Sequence, residues 1–192
     1  MVKHINLTCK SSFYHLRNIA RIRKYLSLQS AETLVHAFIS SKLDNYNSLL
    51  YGLPKLLIDR LQAVQNASAR LIMLSKKRDH ITPILRQLHW LPISSRINFK
   101  IILLAFKCLH GTAPLYLQEL ISKKTSSHTL RSSSHLQLAH KPYNLKKFGF
   151  RSFYVAAPFL WNSVPPDIRD ITTINLFKSK LKTHLFTLAY DL

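Results

Sequence analysis

Two-metal chemistry on phosphates needs carboxylates gathered in one place to hold Mg²⁺. The acids here are Glu32, Asp44, Asp59, Asp79, Glu119, Asp167, Asp170 and Asp191. Only Asp167 and Asp170 are close in sequence, and they follow the double proline Pro165-Pro166 in what the sequence predicts to be a solvated turn. The ten histidines raise metal or acid–base chemistry next. His80, His89 and His110 fall in turns or at helix ends, where an imidazole satisfies backbone groups. His128, His135 and His140 are loosely spaced in a Ser-rich stretch. Cys108-x-His110 has no second pair nearby, and Cys9 and Cys108 show neither zinc spacing nor a disulfide framework. No Ser or Cys has a visible base and orienting acid. Neither G-x-x-x-x-G-K nor G-x-G-x-x-G occurs. The expectation is therefore no catalytic residue, no metal, no cofactor and no small-molecule substrate.

Positive charge is what the chain has in excess. Its 28 Lys and Arg stand against 8 Asp and Glu, a net of +20. A folded domain that basic repels itself and calls for a polyanion. The cations interleave with Tyr, Phe and His, which favours nucleic acid over an anionic membrane surface. Lys10, Arg17, Arg21 and Lys24 line one face of a helical stretch, a ridge suited to a phosphate backbone. Arg70, Arg96 and Lys100 come next, then Lys123, Lys124 and Arg131 in a loop. Tyr143 and Phe148 are candidates to stack on unpaired bases. Each residue alone also fits a solvated face or a core; the sum of charge carries the expectation.

The elements that must position these residues are mostly helices. The first spans residues 10–26, with Phe13, Leu16, Ile19, Ala20 and Leu26 as its apolar stripe. Ser30 is the expected cap of a second, whose period runs through Val35, Phe38 and Ile39 until Gly52 and Pro54 stop it. A third covers 55–75, with Leu57, Leu61, Val64, Ser68 and Leu71 as a packing seam. Beside it Gln62, Gln65, Asn66 and Arg70 form a strip better suited to tying helices together than to touching nucleic acid. After a short helix at Thr82-Pro83 comes the corner Leu88-His89-Trp90-Leu91-Pro92. A buried helix follows, from near Ser94 to Gly111. Pro114 opens a last short helix. Composition changes at Ser122. Alternation over 136–139 and 147–153 predicts a short β-hairpin. A buried helical turn around Trp161 and a final helix carrying Phe177, Leu181, Leu185 and Leu188 inward complete the chain. The expected architecture is mainly α: a helical bundle over 1–121, a Ser/Lys-rich linker or loop over 122–134, and a small α+β tail over 135–192. No stretch is long and apolar enough to span a bilayer, and the N-terminus has no apolar leader segment, so the sequence predicts an intracellular, soluble chain, cytoplasmic or nuclear.

Asp79-His80-Ile81-Thr82-Pro83, Leu88-His89-Trp90-Leu91-Pro92 and Arg96-Ile97-Asn98-Phe99-Lys100 form a longer pattern. It resembles the region after the polymerase palm in reverse transcriptases of LINE-type, jockey-like non-LTR retrotransposons. Phe13-Tyr14-His15-Leu16-Arg17-Asn18-Ile19, the run from Leu61 to Leu71, Leu160-Trp161-Asn162-Ser163 and the run from Phe177 to Phe186 match in the same order. The resemblance covers nearly the whole chain. It implies a helical thumb that holds a template–primer duplex, with RNA, DNA or a hybrid as partner and an upstream palm or parent polymerase as neighbour. The family's catalytic aromatic-x-Asp-Asp block is absent, and lies upstream of where this chain begins. So is the Cys-Cys-His-Cys knuckle that some members carry. Leu43-Asp44-Asn45-Tyr46-Asn47-Ser48-Leu49-Leu50 lacks the cysteine usual in L-D-Y-C-N-S-L-L, which argues against a metal or redox role there. The implied protein is a non-catalytic binder of nucleic acid. The alternatives are an orphan mobile-element remnant without a selected function, or a basic helical module that meets an acidic protein.

Overall fold

The computed structural model describes residues 1–124, 136–143 and 149–191, and they are mainly α-helical. They pack as two units, Met1–Arg96 with Phe186–Leu192, and Ile97–Leu185. This division falls inside a helix, between Arg96 and Ile97. Residues 125–134 of the expected linker lie outside the described residues. Among the described residues no helix is long and apolar enough to cross a membrane.

In the first unit, α1 (Val2–Ile22) buries Ile5, Cys9, Ser12, Leu16 and Ile19, an alternation of four and three that keeps one stripe inward. The helix begins well before residue 10, and Phe13 and Ala20 stay exposed, because both lie off that stripe. A 3₁₀ turn, Arg23–Tyr25, leads to α2 (Leu28–Val35). Ser27, not Ser30, is its cap: the Ser27 hydroxyl accepts from the Ser30 amide at 3.1 Å. α2 continues through a π turn, His36–Ser40, into α3 (Ser41–Asp44). Tyr46, at φ +54°, ends the run.

α4 (Lys55–Met73) packs on α1 and buries Leu61, Val64, Gln65, Ser68, Ala69 and Ile72. Leu57 and Leu71 of the expected seam are only half-buried. The C-terminus of α4 is closed by Arg23, whose buried guanidinium donates to the carbonyls of Leu71 (3.1 Å), Ile72 (2.6 Å) and Leu26 (2.9 Å). The last carbonyls of a helix lack intrahelical donors and carry the negative end of its dipole, so a cation is favoured there twice over.

α5 (Ile81–Gln87) ends in a Schellman motif: His89 takes φ +52°, its amide reaches Arg86 at 3.0 Å, and the Trp90 amide reaches Leu85 at 2.9 Å. A non-glycine residue in that conformation costs about 1 kcal/mol, and contacts on every side of the corner offset it. The buried Trp90 ring lies 5.5 Å from His36, and its carbonyl accepts from the Tyr190 hydroxyl at 2.6 Å. The Leu91 carbonyl accepts from Gln65 at 2.8 Å. The Ile93 amide, free at the start of α6 (Ile93–Leu109), donates to Gln62 at 2.9 Å. The amide strip on α4 thus ties the corner in place.

The second unit centres on Phe106 of α6. Its ring stacks 4.2 Å from Phe177, which stacks 5.8 Å from Trp161. Gly111 ends α6 at φ +66°, where a side chain would be strained. After Pro114 comes the single turn α7 (Leu115–Gln118). Residues 122–124 pair antiparallel with 137–139 through Lys124 N to Gln137 O and Ala139 N to Ser122 O, both 2.9 Å. The second strand of the expected hairpin does not form over 149–153: residues 149–151 form a 3₁₀ turn and Phe153 begins α8 (Phe153–Asn162), while 144–148 lie outside the described residues. The Ser152 hydroxyl closes that turn onto the Gly149 carbonyl at 2.5 Å, and α8 is apolar nearly all round, so it is buried as a helix. What replaces a second strand is side chains. Asn162 accepts from Leu138 N at 3.0 Å and donates to Leu138 O at 2.9 Å. Trp161 (3.0 Å) and Arg169 of α9 (Pro166–Arg169, 2.8 Å) both donate to Leu136 O. α10 (Ile174–Tyr190) buries Phe177, Leu181 and Leu185, while Leu188 is exposed.

Candidate nucleic-acid interface

A helix turns about 100° per residue, so Lys10, Tyr14, Arg17 and Arg21 of α1 fall within about 60° of one another, centred roughly 150° from the buried stripe. All four are exposed, and Lys3, also exposed, extends the row one heptad towards the N-terminus. The same four-and-three alternation that buries one face therefore lines the opposite face with cations. Lys24 continues the row in the 3₁₀ turn, with its ammonium 4.7 Å from the centre of the exposed Tyr25 ring. Among the described residues no ion pair found involves the row; the pairs His36–Glu32 and Arg96–Asp44 lie elsewhere.

The other expected contacts fare differently. Arg96 is held by Asp44: its Nε donates to Oδ1 at 2.8 Å and its Nη2 pairs with Oδ2. Asn47 also donates to Asp44 Oδ1, at 3.4 Å. The ion pair thus joins the Leu43–Leu50 stretch to the Arg96–Lys100 stretch, and the guanidinium is occupied within the protein. Arg70 is half-buried and donates to the Asp79 carbonyl at 3.2 Å. Lys100, Lys123 and Lys124 are exposed and belong to the second unit. So does Tyr143, which lies 6.3 Å from Phe150 and closes over Gly149, where an added Cβ would sit 3.0 Å from its own. Arg131 and Phe148 lie outside the described residues. The structure therefore gathers Lys10, Arg17, Arg21 and Lys24 into one row and assigns Arg70 and Arg96 to internal contacts. Sequence reasoning passed over Tyr14 in the middle of the row, although its place four after Lys10 and three before Arg17 was a visible signal. It also passed over Arg23, whose partners are 48 and 49 residues away.

Burial pushes the thiols of Cys9 and Cys108 up, opposed at Cys9 by the Arg60 charge, so both are poor nucleophiles at neutral pH. Burial also pushes the Tyr190 phenol up to about 12. Among the described residues no three His, Cys, Asp or Glu side chains group so as to hold a metal ion. By fold and charge the chain is a mainly α, strongly basic protein. Compared with protein-family models, curated proteins and solved structures, it matches none.

Proposed function

We propose that this protein binds nucleic acid through its phosphate backbone and performs no catalysis on it, in keeping with its resemblance to the post-palm part of a LINE-type reverse transcriptase. The observation that carries the reading is the α1 row: exposed cations without carboxylate partners among the described residues, on the face opposite the core, in a chain of net charge +20. Contacts to phosphates are tolerant of sequence and release counterions, so affinity falls steeply with salt. Four cations on four phosphates give a slope of log affinity against log salt of roughly −3 to −4.

The test is fluorescence anisotropy with single-stranded RNA, duplex DNA and an RNA–DNA hybrid, each over a salt series. A slope of that size, with a ranking among the three, supports the reading. Equal affinity for all three and for heparin would reduce the row to non-specific charge and overturn it. So would preferential capture of an acidic protein.

A further inference from the structure

We infer that the α1 row takes a single-stranded nucleic acid whose unpaired bases stack on aromatic rings beside the cations, an inference that rests on the backbone-binding reading above. Passing around α1 from the row, the order is cations, then Tyr14, then His15, and then Phe38 in the neighbouring π turn. Tyr14 meets His15 edge to face, with centroids 5.5 Å apart and planes at 78°. His15 lies parallel to Phe38 at 5.2 Å and 19°. Tyr14 is 57% and Phe38 44% exposed. At the end of the row Tyr25 is 76% exposed, under the Lys24 ammonium.

Burial would be the favoured fate of such rings, since an aromatic side chain brings the largest apolar surface of any residue. Here the Tyr14 and Phe38 rings, joined through the half-buried His15, stay exposed, and the ring of Phe38 is presented by a π turn, a form found frequently at functional sites. Charge complementarity names the occupant. A duplex shows a protein its phosphates and groove edges while its base faces are hidden in the stack. A single strand offers both phosphates and open base faces, and proteins that hold one combine a cationic track with aromatic platforms. With its backbone along Lys10, Arg17 and Arg21, a strand turns its bases to Tyr14 and the His15–Phe38 pair.

The test uses the full chain and three labelled oligonucleotides of about 12 nucleotides, a length within the reach of one such site. They are a thymidine strand, an abasic strand with the same phosphates, and a duplex. At one low salt concentration the thymidine strand should bind roughly tenfold tighter than the abasic one. In a Tyr14→Ala, Phe38→Ala double variant that advantage should vanish while abasic binding stays within about twofold. Tyr14→Phe should keep the advantage, because it keeps the ring. Both substituted side chains are exposed, and an unchanged helical circular dichroism spectrum and Tm would show that the fold survives. Equal binding of thymidine and abasic strands would overturn the stacking inference and leave backbone binding standing. An advantage that persists in the double variant would overturn its assignment to this face. Binding of neither strand would overturn both.

Discussion

The α1 row and the Trp90 corner use the same kinds of side chain, Arg beside aromatic, in opposite ways. At the corner Arg96 is paired with Asp44, and Trp90 is buried with its carbonyl occupied. Along α1 Arg17 and Arg21 face water, and the rings of Tyr14 and Phe38 stay exposed. What separates the two regions is the supply of acceptors. With 28 cations and 8 acids, few arginines can be matched by carboxylates. Among the described residues the buried arginines, Arg23 and Arg169, take backbone carbonyls instead. A guanidinium presents a planar fork of donors that can bridge several carbonyls at once, which a lysine cannot. On α1, by contrast, Lys10, Arg17 and Arg21 face solvent on the helix side opposite the core.

If this contrast is right, substitutions in the two regions should separate stability from binding. Trp90→Ala should have the largest effect, about 3–5 kcal/mol lost by chemical denaturation, because it removes the ring at the centre of the corner. Arg23→Ala should cost about 2–3 kcal/mol by leaving the Leu71 and Ile72 carbonyls without a donor, and Arg23→Lys should recover little of it. A double-mutant cycle between Asp44→Ala and Arg96→Ala should give a coupling of about 1 kcal/mol, held down by the exposure of Asp44. Nucleic-acid affinity measured by anisotropy should hardly change in the Arg96 variant; a loss equal to that of an α1 variant would break the comparison.

Tyr190→Phe should cost about 1 kcal/mol through the lost bond to Trp90. Its phenol, pushed up to about 12, is above its unfolded value near 10. The neutral form is favoured in the fold, so this stabilisation is fully present below pH 10 and is lost as pH rises through 12. Absorbance titration of tyrosinate should show a late-titrating component in the native protein that is missing from the variant. Smallest for stability is Arg17→Ala with Arg21→Ala, at under about 0.5 kcal/mol. That pair should nevertheless lower the salt slope for binding by about two. A large fall in Tm would mean the row is structural.

Local chemistry was legible in the residues. Gly111 ends α6 in the left-handed conformation its position called for, and the mainly α character follows from scarce glycine and helical periodicity. The amide strip on α4 was readable as a tie between elements, and Gln62 and Gln65 bind the corner. The tail was harder. Alternating Phe, Gly and Arg over 147–153 fits a strand as well as a turn, and only Ser152 closing on Gly149 and the apolar run after it decide for turn and helix over 149–153. The loss of Phe13 and Leu188 from the expected cores has a similar origin, since a stripe of heptad type is narrow and residues one step off it are left in water.

By itself the sequence determined the excess of charge, the lack of neighbouring carboxylates and the face of α1 on which Lys10, Arg17 and Arg21 align, because all three follow from composition or from helical geometry within one element. Only the tertiary structure decided which arginines remain available. Arg23 finds its carbonyls at Leu71 and Ile72, Arg96 finds its carboxylate 52 residues away, and Asn162 with Trp161 supplies the partners a second strand would have given. A hydrogen bond needs both groups within about 3 Å, and no local pattern states which distant acceptor the folded chain will bring to that distance.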